Sequence, residues 1–242
     1  MSRLYMADNT SNPADSGENV KPFTMDGEFG LIKTTGNTET TSVKATLSAH
    51  QELEQWSNDY VVETLYKQDE VDNDEGEETQ TTAQKVFLSG QGNYKLTDPN
   101  HRIFAFASYE DDRFSGYQYQ GTLATGWGQQ VWKDDTSSFN YSVGPGYSFA
   151  KTQEGEDASS FIVRGAMDYQ WKISPTATFR QLISTEIGSE NTKSKSETSV
   201  AAKINGSLAM KVSLLLNHNS DVVEGNENLD TQTAVTLVYT FF

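Results

Sequence analysis

The chain has 242 residues, with 18 basic and 34 acidic side chains and a formal charge of −16. So acidic a balance excludes the basic footprint of a nucleic-acid binder, and the absence of cysteine excludes disulfides, thiolate nucleophiles and Cys-based zinc sites. Mean hydropathy is −0.62 and no run approaches the roughly 18 apolar residues of a membrane helix, a test that a membrane β-strand escapes because it shows lipid only every second residue.

Residues 1–25 are polar and carry no signal-peptide apolar core. In an exported protein they are expected to form a disordered periplasmic leader. From Gly27 the chain divides into twelve short runs, separated by clusters of Gly, Asn, Asp, Ser and Pro. The runs lie near residues 27–34, 40–50, 56–67, 81–95, 102–110, 117–132, 138–151, 159–173, 177–189, 196–204, 208–219 and 231–242. Regular short strands with turn signals between them predict an all-β sandwich or barrel. Residues 26–242 are expected to form one such domain.

Alternation within the runs separates two faces. In run six, Tyr117, Tyr119, Leu123 and Trp127 oppose Gln118, Gln120 and Thr122. Run seven places Tyr141, Val143, Tyr147 and Phe149 against Asn140, Ser142 and Ser148. Run eight places Val163, Met167, Tyr169 and Trp171 against Arg164, Asp168 and Gln170. The same parity gives an apolar face of Val212, Leu214 and Leu216 on run eleven, and of Val235, Leu237, Tyr239 and Phe241 on run twelve. Aromatics sit mainly near the ends of the apolar faces and smaller residues in the middle, as expected for rings at two membrane interfaces. Connections after even-numbered runs are short, whereas most after odd-numbered runs are longer and more polar. The pattern predicts a transmembrane antiparallel up-and-down β-barrel of about twelve strands, with both termini periplasmic and the final strand paired to the first.

The stretches TTGNTETTSVKATLS, LTDPNHRIFAFASYEDDRFSGYQYQGTLATGWGQQV and FNYSVGPGYSF resemble the bacterial family of YdiY-like, salt-induced outer-membrane proteins. The match is carried by Gly36–Thr38, Asp112–Tyr117 and Gly144–Gly146. It covers roughly residues 26–242. The resemblance implies Gram-negative export and insertion by the outer-membrane assembly machinery, with periplasmic chaperones as partners in transit. It implies no established activity. The last strand is similar to the assembly signal of such proteins, except that Phe241 rather than Phe242 is in phase with the apolar face.

Candidate chemistry starts with a lumen charge ladder. Lys44, Glu63, Lys85, Arg164, Asp168, Lys203 and Lys211 fall on inward positions, with Gln91, Gln118, Gln120 and Gln170 beside them. They either pair to fill a narrow interior or line a pore whose basic excess disfavours cations. The acidic segment Asp69, Glu70, Asp72, Asp74, Glu75, Glu77 and Glu78 fails the calcium-loop spacing in both registers. It reads as a solvated loop, with weak divalent-cation binding through carboxylates as its one ligand chemistry. Of the three histidines, His50 and His101 fall at predicted turns and His218 near a loop mouth, beside Asp221. Gly144–Pro145–Gly146 predicts a bulge or bend, because proline breaks a central ladder. No catalytic residue, metal site or cofactor is assigned.

The expected function is a small pore or structural envelope protein acting under osmotic or salt stress, in contact with outer-membrane lipid and lipopolysaccharide. The alternatives are an outer-membrane hydrolase or protease with its site at the barrel mouth, and a soluble β-sandwich binding module.

Overall fold

The computed structural model describes residues 22–34, 39–73, 76–98, 100–113, 117–189, 191–220 and 228–241. Twelve strands follow in chain order: β1 (Phe23–Thr34), β2 (Glu39–Glu52), β3 (Trp56–Asn73), β4 (Gly76–Lys95), β5 (His101–Asp112), β6 (Tyr117–Lys133), β7 (Ser137–Thr152), β8 (Ser160–Ser174), β9 (Ala177–Gly188), β10 (Thr192–Lys203), β11 (Leu208–Asn219) and β12 (Leu229–Thr240). Each pairs antiparallel with its neighbours in sequence, and β12 pairs with β1 to close the barrel. One closed sheet leaves no second layer, which overturns the sandwich alternative. Most of the leader expectation falls on residues 1–21, outside the described residues, but residues 23–25 are already strand.

Closure explains the aromatic end of the chain. Phe241 N donates to Met25 O at 2.8 Å, and the Phe241 ring lies over Gly27, where a Cβ would come within 3.0 Å of it. The Tyr239 ring meets Phe241 edge-on at 5.0 Å. Phe242 lies outside the described residues.

Two segments expected as loops are strand. β3 and β4 continue past a bulge at Lys67/Gln68 and stay paired from Gln68↔Thr81 to Asn73↔Gly76, so most of the acidic segment is a two-stranded ribbon. Asp74 and Glu75 lie outside the described residues. β10 begins at Thr192, four residues before the expected start of run ten. Its N-terminal half reads Thr-Lys-Ser-Lys-Ser and is polar on both faces, so hydrophobic alternation cannot reveal it.

The outward face carries aromatic pairs at two levels. Trp56–Tyr94, Trp127–Tyr141 and Trp132–Phe139 lie toward the short-turn end. Tyr109–Tyr119 and Tyr147–Phe161 lie toward the other end. Between them are exposed aliphatics such as Val62, Leu88, Leu123, Val163, Leu214 and Val235.

The Gly-Pro-Gly segment makes no bulge. The β6–β7 register is the same at Ala124↔Gly146 and at Trp127↔Val143, the pairing is interrupted between them at Gly144 and Pro145 as a proline there implies, and the register shifts lie elsewhere, at Tyr117/Tyr119 and Gln130/Trp132. The two backbones approach closely instead. A Cβ on Gly144 would sit 2.0 Å from Thr125 O, and one on Gly126 would sit 2.3 Å from Val143 O. No side chain fits there, which makes the segment a tight corner of the barrel wall.

Candidate functional site: the lumen

The inward face is polar and buried, and it is the only face on which the strands converge. Among the largest fully buried side chains are Arg164, Glu63 and Asp168, beside Phe104 and Val61. Charged groups are rarely buried so deeply without partners, and here the partners come from the adjacent strand or the next but one. Lys44 Nζ lies 3.6 Å from Glu63 Oε2, which also accepts from Thr46 Oγ1 at 3.4 Å. Lys211 Nζ bridges Glu28 at 3.2 Å and Glu197 at 2.9 Å. Arg180 forms a two-point contact with Asp168, at 3.0 and 2.6 Å. Toward the short-turn end, His50 Nδ1 meets Asp59 at 2.7 Å and Nε2 meets Glu52 at 3.2 Å, while Lys95 pairs with Glu52.

The corner determines how the opposite part of the lumen is filled. Phe104 pairs with Gly126 and Gly144 with Arg164, the two glycines lying hard against one another, and the neighbouring row reads Phe106–Ala124–Gly146–Ile162 across β5 to β8. Each row is large, small, small, large. The Arg164 guanidinium reaches over the small residues to stack on the Phe106 ring at 3.9 Å. Its Nε faces Glu186 Oε1 at 3.4 Å, and Thr122 Oγ1 donates to Glu186 Oε2 at 3.0 Å.

A third network crosses the lumen. Lys85 Nζ lies 2.7 Å from Glu110 Oε2 and 3.9 Å from Asp112 Oδ2. Lys195 Nζ approaches the same Glu110 oxygen at 3.5 Å and stands 5.5 Å from the centre of the Phe87 ring. Beside it, Lys193 bonds Gln120 Oε1 and lies 5.6 Å over the Tyr117 ring. A pocket of about 30 Å³ opens at this end; Tyr117, Ser148, Glu186 and Lys193 are among the residues that line it.

Most residues expected in the lumen lie on this inward face: Lys44, Glu63, Lys85, Gln91, Gln120, Arg164, Asp168, Gln170 and Lys211. Two sit at its rims. Lys203 is exposed at the short-turn end. Gln118 is exposed in the bulge at Tyr117/Tyr119, where its Nε2 donates to Gln153 O at 3.4 Å. That bulge also reverses Tyr117, expected outside but lining the inner pocket. The other expected apolar-face residues lie outward: Leu123, Trp127, Tyr141, Val143, Val163, Met167, Tyr169, Trp171, Val212, Leu214, Leu216, Val235, Leu237, Tyr239 and Phe241.

The basic excess disappears once the partners are seen. Glu28, Glu52, Asp59, Glu110, Asp112, Glu186 and Glu197 join the lumen, as do Lys95, Arg102, Arg180, Lys193 and Lys195. Lys193 and Lys195 precede the expected start of run ten, and Arg180 is recognisable only through its register with Gln170 beside Asp168. His218 is exposed on the outward face, in phase with Leu214 and Leu216, and His101 stacks outward on Trp127 at 5.3 Å. Among the described residues no cluster of three His, Asp or Glu side chains could hold a metal ion. Of the acidic segment expected to bind cations, Asp74 and Glu75 lie outside the described residues, and Asp69, Glu70, Asp72, Glu77 and Glu78 are placed by backbone pairing alone.

The profile of the family described as "Protein of unknown function, DUF481" matches residues 27–241. The chain belongs to that family. It is 26% identical over 228 residues to the uncharacterized protein YdiY of Escherichia coli K12, covering 93% of this chain and 86% of YdiY. Solved structures share the fold at low identity. An outer-membrane channel from Pseudomonas putida F1 superposes with a TM-score of 0.53 at 8% identity, over 96% of this chain and all of that one. The NanC porin gives 0.52 at 11%, over 90% of this chain and all of the porin. The translocator domain of the Neisseria meningitidis autotransporter NalP gives 0.52 at 9%, over 93% and 90%. The fold is that of outer-membrane β-barrels.

Proposed function

We propose that this DUF481 member is a non-enzymatic barrel of the bacterial outer membrane, enclosing a narrow, polar pore for small ions. The observation that carries the reading is the inversion of burial. Arg164, Glu63 and Asp168 are at most 2% exposed, whereas Leu123, Val163 and Val235 are more than half exposed. A water-soluble fold of this size places these residue types the other way round. An apolar belt between two aromatic levels suits lipid, with lipopolysaccharide in the outer leaflet. Short turns and both termini would face the periplasm, and the assembly machinery, with chaperones before it, would read the final strand. The fold shared with a channel and a porin supports conduction. A response to salt fits a lumen held by ion pairs, since added ions screen such pairs, more weakly where they are buried.

The hydrolase alternative is the less favoured reading, since His218, the histidine expected near the loop mouth, lies on the outward face. Single-channel recording in planar bilayers tests the proposal. Small, reproducible current steps are expected from detergent-purified protein. Silence across a wide range of salt and voltage, or a folded monomer in buffer without detergent, would sink it.

A further inference from the structure

We infer that Lys195 is the constriction residue of the lumen, a strut from β10 that closes the passage against Glu110 and Phe87 and restricts it to small ions. The inference rests on the pore reading above for its functional half only. Its structural half stands on topology. In the closed order of twelve strands, β10 and β4 are six apart, the greatest separation the ring allows. The Lys195 Nζ nevertheless lies 5.5 Å from the Phe87 ring centre on β4, and 3.5 Å from Glu110 Oε2 on β5. Lys195 and the side chains of Glu110 and Phe87, reaching in from opposite walls, therefore meet across the interior.

The anchor is prepared from the far wall. Lys85 holds the same Glu110 oxygen at 2.7 Å, so the carboxylate is also anchored from its own side of the barrel. Phe87 and Glu110 share one paired row, which offers an ammonium group both a carboxylate and a ring face. Lysine suits a movable strut, because four flexible carbons carry a compact charge. Two ammonium groups about one carboxylate, with Asp112 3.9 Å from Lys85, also make this level the place where ion preference is set. Sugars and peptides are excluded there, and small monovalent ions pass when the strut swings aside.

The native chain has no cysteine, so engineered thiols are unique reporters. Lys195→Cys with Glu110→Cys is expected to be bridged in the folded barrel by a short bifunctional thiol reagent, while either single variant is not. Failure to bridge would overturn the strut whatever the conductance. In bilayers, Lys195→Ala is expected to raise conductance severalfold. Lys195→Glu is expected to open the level by repulsion from Glu110 and to shift ion preference toward cations. Adding Glu110→Lys to Lys195→Glu is expected to restore the narrow state. Conductance of Lys195→Ala equal to that of the unaltered protein would overturn the constriction. Bridging with silence in every variant would support the strut and defeat the pore reading instead.

Discussion

The lumen is filled in two different ways on its two sides. Across β5–β8 a pair of glycines draws the backbones together, and Phe104, Phe106 and Arg164 close over them. Across β10–β12 and β1–β3 the interior is occupied instead by Lys211 between Glu28 and Glu197 and by Lys44 against Glu63. One side closes by shape and the other by charge. Shape needs a sequence of small residues on adjacent strands in register; charge needs opposite signs within reach and tolerates several registers. The corner is therefore the less forgiving half.

The largest expected effect breaks the corner. Gly144→Val places a side chain where even a Cβ would lie 2.0 Å from a backbone oxygen and 2.6 Å from Gly126 Cα. Neither backbone atom can swing aside, so the variant is expected to lose about 3 kcal/mol or more and to fail in detergent refolding. Gly165→Ala, one residue along the next strand, meets nothing within 4 Å and is expected to refold as the native chain does. Equal behaviour of the two in a refolding titration would remove the corner from the account.

The ionic side is tested by removing its central cation. Lys211→Met leaves Glu28 and Glu197, 5% and 8% exposed, without the ammonium between them. Removing one partner of a buried ion pair costs about 3–5 kcal/mol. Adding Glu28→Gln and Glu197→Gln is expected to recover much of that loss, because the charges that suffer are then gone. No double-mutant rescue of this kind is expected at Gly144. A titration in which the neutral triple variant is no better than Lys211→Met would place the cost in packing and blur the contrast.

The contrast belongs to the interior alone, and the outward face can show it. Val163 lies behind the corner and Leu214 behind the ionic side, both exposed. Arginine at either site is expected to cost about 2–4 kcal/mol at mid-membrane, and to cost the same at both, as urea unfolding in lipid vesicles would measure. A marked difference between the two would show that the sides differ in more than their filling.

How much of this was readable beforehand follows the same division. Alternation predicts twelve strands and a closed barrel because one face is apolar, and it separates Val163 from Arg164 for that reason. It is blind where both faces are polar, so β10 loses its first half and with it Lys193 and Lys195. It also fails where parity slips, so the bulge at Tyr117/Tyr119 turns Tyr117 inward. The glycines at 126 and 144 are visible as letters, but their contact depends on register between strands, which a linear pattern does not contain. Charge partners share that difficulty: Lys195 and Glu110 are five strands apart around the ring.

The smallest expected effect compares the turns beneath the two sides. Asp134, in the turn that joins the corner strands β6 and β7, accepts from the backbone N–H of Thr136 and Ser137 at 2.8 Å each and from the Thr136 hydroxyl at 2.7 Å. Asn205, under β10 and β11, accepts from Ser207 N at 3.0 Å and Leu208 N at 2.9 Å in the same way. Only the first turn can titrate. The bonds from Thr136, with those from Ser137, hold the Asp134 carboxylate at about 2, below the roughly 3.9 of an unfolded chain. A depressed carboxylate contributes its stabilisation fully above the unfolded value and loses it as pH falls through the folded one. Amide exchange at Thr136 and Ser137 is therefore expected to quicken between about pH 4 and pH 2, beyond the intrinsic change with pH, while Ser207 and Leu208 follow the intrinsic change alone. Asp134→Asn is expected to make the two turns respond alike. If the β6–β7 amides of the asparagine variant still loosened in acid, the carboxylate would not be what holds that turn.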